Sequence, residues 1–258
     1  LRPFVVSGLM FMQSSSPLME LASNIARVHE RIEDAAKKSG RNSKEIALMA
    51  VTKTMPPERI REAYQAGMRL FGENRVQEFS DKSDFVADLH GARWHLIGHL
   101  QSNKATKAAT LFEGIDSIDS LRVAQKLDAA AQKAGRTLRV LIEVNVGGES
   151  AKNGVAPVSS EFEQILRAAP KLPALQICGL MTVPPFSASP EGGRQYFVLL
   201  RRIRDEVANR KLPNVNMDEL SMGMSHDFEI AIEEGSTCVR VGTAIFGARA
   251  KMESETAH

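Results

Sequence analysis

Short apolar runs rich in Val, Ile and Leu recur along the chain in alternation with stretches of helical spacing, and that alternation leaves few folds open. The runs are IALMAVT (46–52), MRLFG (68–72), ARWHLIG (92–98), GIDSI (114–118), LRVLIEVN (138–145), LQICGLM (175–181), DELSMG (218–223) and STCVRVGTAI (236–245), eight predicted strands. Amphipathic segments near 57–66, 74–88, 102–109, 120–134, 159–168, 192–210 and 226–234 lie between them. Strand and helix in alternation imply parallel strands, because each connection must cross back over the sheet, and it does so with right-handed sense. Eight such units close into a single (β/α)8 barrel of the α/β class. An open doubly wound sheet is the alternative, but it usually places a glycine-rich turn after its first strand, where VTKTMPPE (51–58) stands here.

An extra helix precedes the first strand. Leu21, Ile25, Val28 and Ile32 recur at spacings of three and four within residues 18–39, and Gly40 ends the run. Upstream, FVVSGLMFM (4–12) is far shorter than the ~20 residues that span a bilayer. A signal-peptide core is the competing interpretation, but no small-x-small cleavage site follows. Met10, Met12 and Met19 are each possible starts, so residues 1–17 are expected to be a disordered or non-native extension. The barrel is expected over 18–250 and a polar tail over 251–258.

Composition narrows the function classes. The 258 residues are 43% hydrophobic and 25% charged, ordinary values for a soluble globular chain, with a net charge of +2 from 33 basic and 31 acidic residues. No basic run or aromatic-interleaved stripe favours nucleic acid. Cys178 and Cys238 sit in apolar runs without a CxxC partner, which reads as two buried thiols, a disulfide being the alternative.

In a β/α barrel, reactive groups come from the C-terminal ends of the strands and the loops beyond them. Lys53 directly follows the first strand. A partly desolvated lysine can present a neutral amine to a carbonyl, although a lysine snorkelling to the rim would occupy the same place. Barrels often bind phosphate on the loops after strands seven and eight. Ser221-Met-Gly-Met-Ser225 supplies a glycine and two hydroxyls, and Gly242-Thr243 with Gly247 supplies a second cradle of small residues. Ser225 as a plain helix N-cap is compatible with the same use. Arg240 shares a strand face with Gly242, which directs a permanent cation either at a ligand or at an internal partner such as Glu143. An amine, a phosphate cradle and an inward arginine together suggest a phosphorylated aldehyde as ligand.

Other features point to structure. His95 and His99 lack an HExxH frame, so a metal site is not expected, and His95 reads as a satisfied histidine near the barrel mouth. Asn74 and Gln77 read as a helix cap and its partner, with Asn74 also placed to touch a ligand. Trp94 and the apolar stripe of 192–210 read as packing. There is no GxSxG, Walker loop or pair of carboxylates at suitable strand ends to support a hydrolase or a kinase.

The motifs AVTK (50–53), FGEN (71–74), WHLIGHLQSNK (94–104), IEVN (142–145), GLM (179–181), LSMGMSHDFE (220–229) and VRVGTAIFG (239–247) stand in order along residues 18–250. In these the chain resembles the pyridoxal phosphate homeostasis protein family, often called YggS-like. The resemblance implies an alanine-racemase-like barrel, usually monomeric and cytosolic, that carries pyridoxal 5′-phosphate (PLP) as an internal aldimine on Lys53. It implies phosphate contacts from Ser225, Gly242 and Thr243, Arg240 at the pyridine nitrogen, Asn74 lining the pocket, and Ser221 and Met224 near the cofactor. His226 departs from the family's small or acidic residue, at the start of what is expected to be a solvent-facing helix.

A guanidinium stays protonated and can only donate to the ring nitrogen, which makes the ring a poorer electron sink. A racemase also needs a second base, commonly tyrosine in this fold, and Tyr64 and Tyr196 both fall in predicted helices away from strand ends. The expected function is storage, protection and delivery of PLP with little or no turnover, PLP-dependent apo-enzymes being the recipients. The alternatives are a weak racemase-like enzyme and a cofactor-free Schiff-base aldolase.

Overall fold

The computed structural model describes residues 17–248; the expected N-terminal extension, apart from Pro17, and the expected tail lie outside the described residues. Eight parallel strands close a barrel in sequence order: β1 (Ala47–Val51), β2 (Leu70–Glu73), β3 (Arg93–Leu96), β4 (Gly114–Ile118), β5 (Leu138–Glu143), β6 (Leu175–Met181), β7 (Val215–Met224) and β8 (Cys238–Val241). Ala47 to Ala50 of β1 pair with Cys238 to Val241 of β8, so the ring has no open edge and the doubly wound alternative is excluded.

Around the strands run α1 (Pro17–Lys38), α2 (Pro57–Gln65), α3 (Val76–Lys82), α4 (Ala105–Leu111), α5 (Leu121–Lys133), α6 (Ser160–Ala168), α7 (Arg194–Asn209), α8 (Phe228–Glu233) and α9 (Thr243–Phe246). α2 begins with a proline at N1, where its missing N–H costs nothing. α5 and α6 begin at Ser120 and Ser159, whose side chains accept the N–H of Val123 and Phe162. The extra helix α1 buries Leu21, Ile25, Val28 and Ile32, each worth ~1.5–3 kcal/mol relative to exposure. It lies against α8 and α9, where Asn24 donates to the Ile245 carbonyl at 3.1 Å and Arg31 pairs with Glu229 at 2.6 Å.

Alternation along a strand sorts side chains to its two faces. On β3, Trp94 stacks against Phe71 and Phe79, with centroids at 4.8 and 4.6 Å, and Phe79 meets Phe112, as expected of packing. His95 is buried and satisfied by Asp116 at 2.9 Å. It is not near the mouth: it lines a cavity with Ala47, Leu70 and Thr237 at the opposite, N-terminal end of the strands. His95 does lie on its strand, as expected, but its side chain faces the N-terminal end of the barrel rather than the mouth.

Two further expectations need correction. The eighth strand stops at Val241, and Thr243–Phe246 forms the short helix α9 rather than a strand continuation. The cap of α3 is Arg75 without a side-chain bond, so Asn74 is not the cap, and Gln77 instead donates to Asp81 at 2.6 Å.

Candidate ligand site at the barrel mouth

Two tight turns present the principal polar groups. The first follows β1: the Met55 N–H donates to the Thr52 carbonyl at 3.0 Å, leaving Lys53 and Thr54 at the centre of a β-turn. The second follows β7: the Asp227 N–H donates to the Met224 carbonyl at 3.0 Å, and an Asp227 carboxylate oxygen accepts the Met224 N–H at 2.7 Å. Ser225 and His226 are its central residues. Gly223 has φ +92°, and a Cβ there would stand 2.6 Å from that of Ala231, so the chain reaches this turn only through glycine.

Lys53, Asn74, Met224, Ser225, Arg240, Gly242 and Thr243 line one cavity of about 350 Å3. All but one of the residues expected at the site are therefore brought together. The exception is Ser221, which is fully buried and does not line it. Its hydroxyl accepts from Arg240 Nη1 at 2.7 Å, so it supports the arginine from below. Ser225 Oγ accepts the Ala244 N–H of α9 at 3.3 Å, which joins the two proposed cradles; it does not cap α8, which begins at Phe228 after Asp227. Asn74 is set in place by Gly98, where a Cβ would lie 2.3 Å from the Asn74 carbonyl oxygen.

Arg240 faces inward and is 3% exposed. Nη2 donates to the Thr182 carbonyl at 2.7 Å, so its partners are Ser221 and Thr182 rather than an ion pair with Glu143. Burial pushes its pKa down, while Asp116, Glu143 and Asp227 favour its charged form. A guanidinium carries five N–H donors, and these two bonds leave others for a ligand. Glu143 has one carboxylate oxygen without a partner, and its pKa is raised from 4.5 to about 7 by burial first and Asp119 second, against the pull of Arg240 and His99.

A larger cavity of about 620 Å3 adjoins the first and shares Asn74, Ile97 and Val183 with it; Glu143, Arg75, Lys104 and Lys152 line it. Size alone would favour that cavity, but the smaller one holds the strand-end lysine, the buried arginine and the hydroxyl-bearing turn together, and is the candidate. His226 is exposed at its rim in the turn before α8, with its ring 5.9 Å from Phe186. It therefore borders the site instead of opening a helix. Gly247 lines the cavity as well, and nothing in sequence spacing pointed to Val51, Met55, Ile97, Val183 or Phe246, which complete the lining. Among the described residues no group of His, Cys, Asp and Glu is arranged to hold a metal.

Residues 21–250 match the family model described as alanine racemase, N-terminal domain. The pyridoxal phosphate homeostasis protein of Aquifex aeolicus is 44% identical over 231 residues, which cover 90% of this chain and 99% of that protein. The protein of the same name from Escherichia coli K12 is 42% identical over 89% of this chain and 97% of its own length. The structure of PipY from Synechococcus elongatus, solved with PLP bound, superposes with a TM-score of 0.77 at 36% identity, covering 88% of this chain and all of that one. The chain belongs to the pyridoxal phosphate homeostasis protein family, within the alanine racemase N-terminal domain family.

Proposed function

We propose that this protein binds PLP at the barrel mouth and serves its homeostasis, holding the cofactor on Lys53 and releasing it to PLP-dependent apo-enzymes with little or no turnover of its own. The observation that carries this is the convergence of Lys53, Ser225, Arg240, Gly242 and Thr243 on one cavity of about 350 Å3. The residues present fit the group. PLP supplies an aldehyde that condenses with a neutral primary amine, together with an anionic phosphate and a ring nitrogen that accepts a hydrogen bond.

Lys53, half-buried on its turn, would be the amine. The Ser225 hydroxyl and the Gly242-Thr243 segment would take the phosphate, and Arg240 would donate to the ring nitrogen. Asn74 and Met224 would flank the ring, while Ser221 would act through Arg240. A guanidinium held by Ser221 and Thr182 would donate to the ring nitrogen and leave it unprotonated, which would disfavour carbanion chemistry. Tyr64 donates to the His90 carbonyl at 2.8 Å and Tyr196 packs on the core from α7, so neither tyrosine lines the cavity as a second base.

No described helix is long and apolar enough to cross a membrane. The proposed carrier is cytoplasmic and monomeric, as the family resemblance implies. Titration with PLP should give a visible imine band that Lys53→Ala abolishes, and the loaded protein should activate an added apo-enzyme. Exchange of the α-hydrogen of added amino acids well above the rate with free PLP would instead establish an enzyme. A colourless protein that traps a carbonyl substrate would establish an aldolase.

A further inference from the structure

We infer that Lys82 is a positioning residue for Lys53, acting through a buried ion pair with Glu73 that clamps the turn on which the Lys53 amine is presented. This rests on Lys53 being the amine that takes PLP.

The turn of residues 52–55 has an unfavourable backbone. Thr54, its third residue, has φ +63°, while Lys53 is not among the residues of positive φ. A turn of that pattern favours glycine or asparagine in third place, and a β-branched residue there is costly. Compensation comes from α3, some thirty residues on.

Lys82, 7% exposed, donates from Nζ to the carbonyls of Thr52 at 3.0 Å and Met55 at 3.4 Å, the first and last residues of the turn. Its charge is met by Glu73 Oε1 at 2.8 Å and Glu78 Oε1 at 3.3 Å. Glu78 Oε1 also accepts the Thr54 N–H at 2.5 Å, and Glu73 Oε1 accepts from the Thr52 hydroxyl at 2.5 Å. Thr52, Thr54 and Met55 are thus each bonded to this cluster through backbone or side chain.

A fully buried ion pair is poor value as a source of stability, since well-packed apolar residues usually serve as well. Glu73 is 0% exposed, keeps one carboxylate oxygen without a partner, and has its pKa raised by burial against the pull of Lys82. What the ammonium provides that an apolar side chain would not is a set of donors aimed at both ends of the turn. The cluster therefore holds Lys53 at the cavity by fixing its two neighbours.

The test compares two ligands that share ring and phosphate but differ in imine formation: PLP and pyridoxine 5′-phosphate, which has an alcohol in place of the aldehyde. Lys82→Met leaves Glu73 unpaired and risks unfolding, so the double variant Lys82→Met/Glu73→Gln is measured beside it, with Glu78→Ala, at a partly exposed position, as a milder third. We expect PLP affinity to fall about tenfold in the double variant and about threefold in Glu78→Ala, with pyridoxine 5′-phosphate affinity changed by less than about twofold in both. Adding Thr54→Gly, which relieves the turn, should restore most of the lost PLP affinity. Equal losses for both ligands, or no loss for either, would overturn the role of Lys82 while leaving Lys53 as the amine. A wild-type preference for PLP that survives Lys53→Ala would overturn both assignments at once.

Discussion

Arg240 Nη1 donates to Ser221 Oγ at 2.7 Å, a bond between β8 and β7 that holds a permanent cation beneath the candidate cavity. The second terminal nitrogen is held by the Thr182 carbonyl beyond β6, so three consecutive staves of the barrel share one guanidinium.

Truncating it should be expensive. Arg240→Ala leaves the buried Ser221 hydroxyl and Thr182 carbonyl without their donor and opens a void, so stability should fall by about 3 kcal/mol in urea denaturation. Arg240→Glu replaces the donor by a group that can share a proton with the ring nitrogen, and the visible spectrum of the PLP-loaded protein should shift. An unchanged spectrum would place the arginine away from the ring.

Glu143 should make stability depend on pH. Its folded pKa is about 7 against an ordinary 4.5, so it is protonated in both states below pH 4.5 and only in the folded state between 4.5 and 7. Unfolding therefore releases a proton in that window, and the contribution present at low pH is lost as pH rises towards 7, by about 3 kcal/mol in total. Glu143→Gln should remove that loss. Denaturation at pH 5 and pH 8 should show the variant gaining on wild type at the higher pH; parallel behaviour would contradict the shift.

Gly98→Ala should weaken both stability and ligand binding. The added Cβ would lie 2.3 Å from the Asn74 carbonyl oxygen, so the loop after β2 must move, at a cost of about 1–3 kcal/mol. Since Asn74 borders the cavity, PLP affinity should fall in the same variant, as read by fluorescence or absorbance titration.

The thiols should be silent in the native protein. Cys178 and Cys238 are both buried and free; burial raises the pKa of the first and pushes that of the second up to about 12. Reaction with a disulfide reagent should be slower than in denaturant by a factor on the order of a hundred or more. Rapid native labelling of Cys238 would contradict its placement.

The strands and the residues lining the cavity were legible in the sequence because both depend on local order. Val, Ile and Leu runs gave β4 and β6 to the residue, and strand ends in a barrel point to one mouth, which gathered Lys53, Asn74, Arg240 and Thr243 from across the chain. The overrun of β8 has the same origin: Thr243-Ala-Ile-Phe246 is as apolar as a strand, yet it forms a short helix packed against α1. The Lys82 cluster was invisible. Nothing in VQEFSDK marks its last residue as buried, and the bond from Lys82 to Thr52 spans thirty positions that only the closed fold brings together. His95 was misplaced for a related reason, since depth within the barrel is set by the strand's tilt and stagger and not by its sequence.

Borohydride reduction of the PLP-loaded protein, followed by peptide mapping, tests the central assignment most directly. The phosphopyridoxyl group should be found on Lys53 and be absent after Lys53→Ala. Its appearance instead on Lys104 or Lys152, which line the neighbouring cavity, would contradict the account.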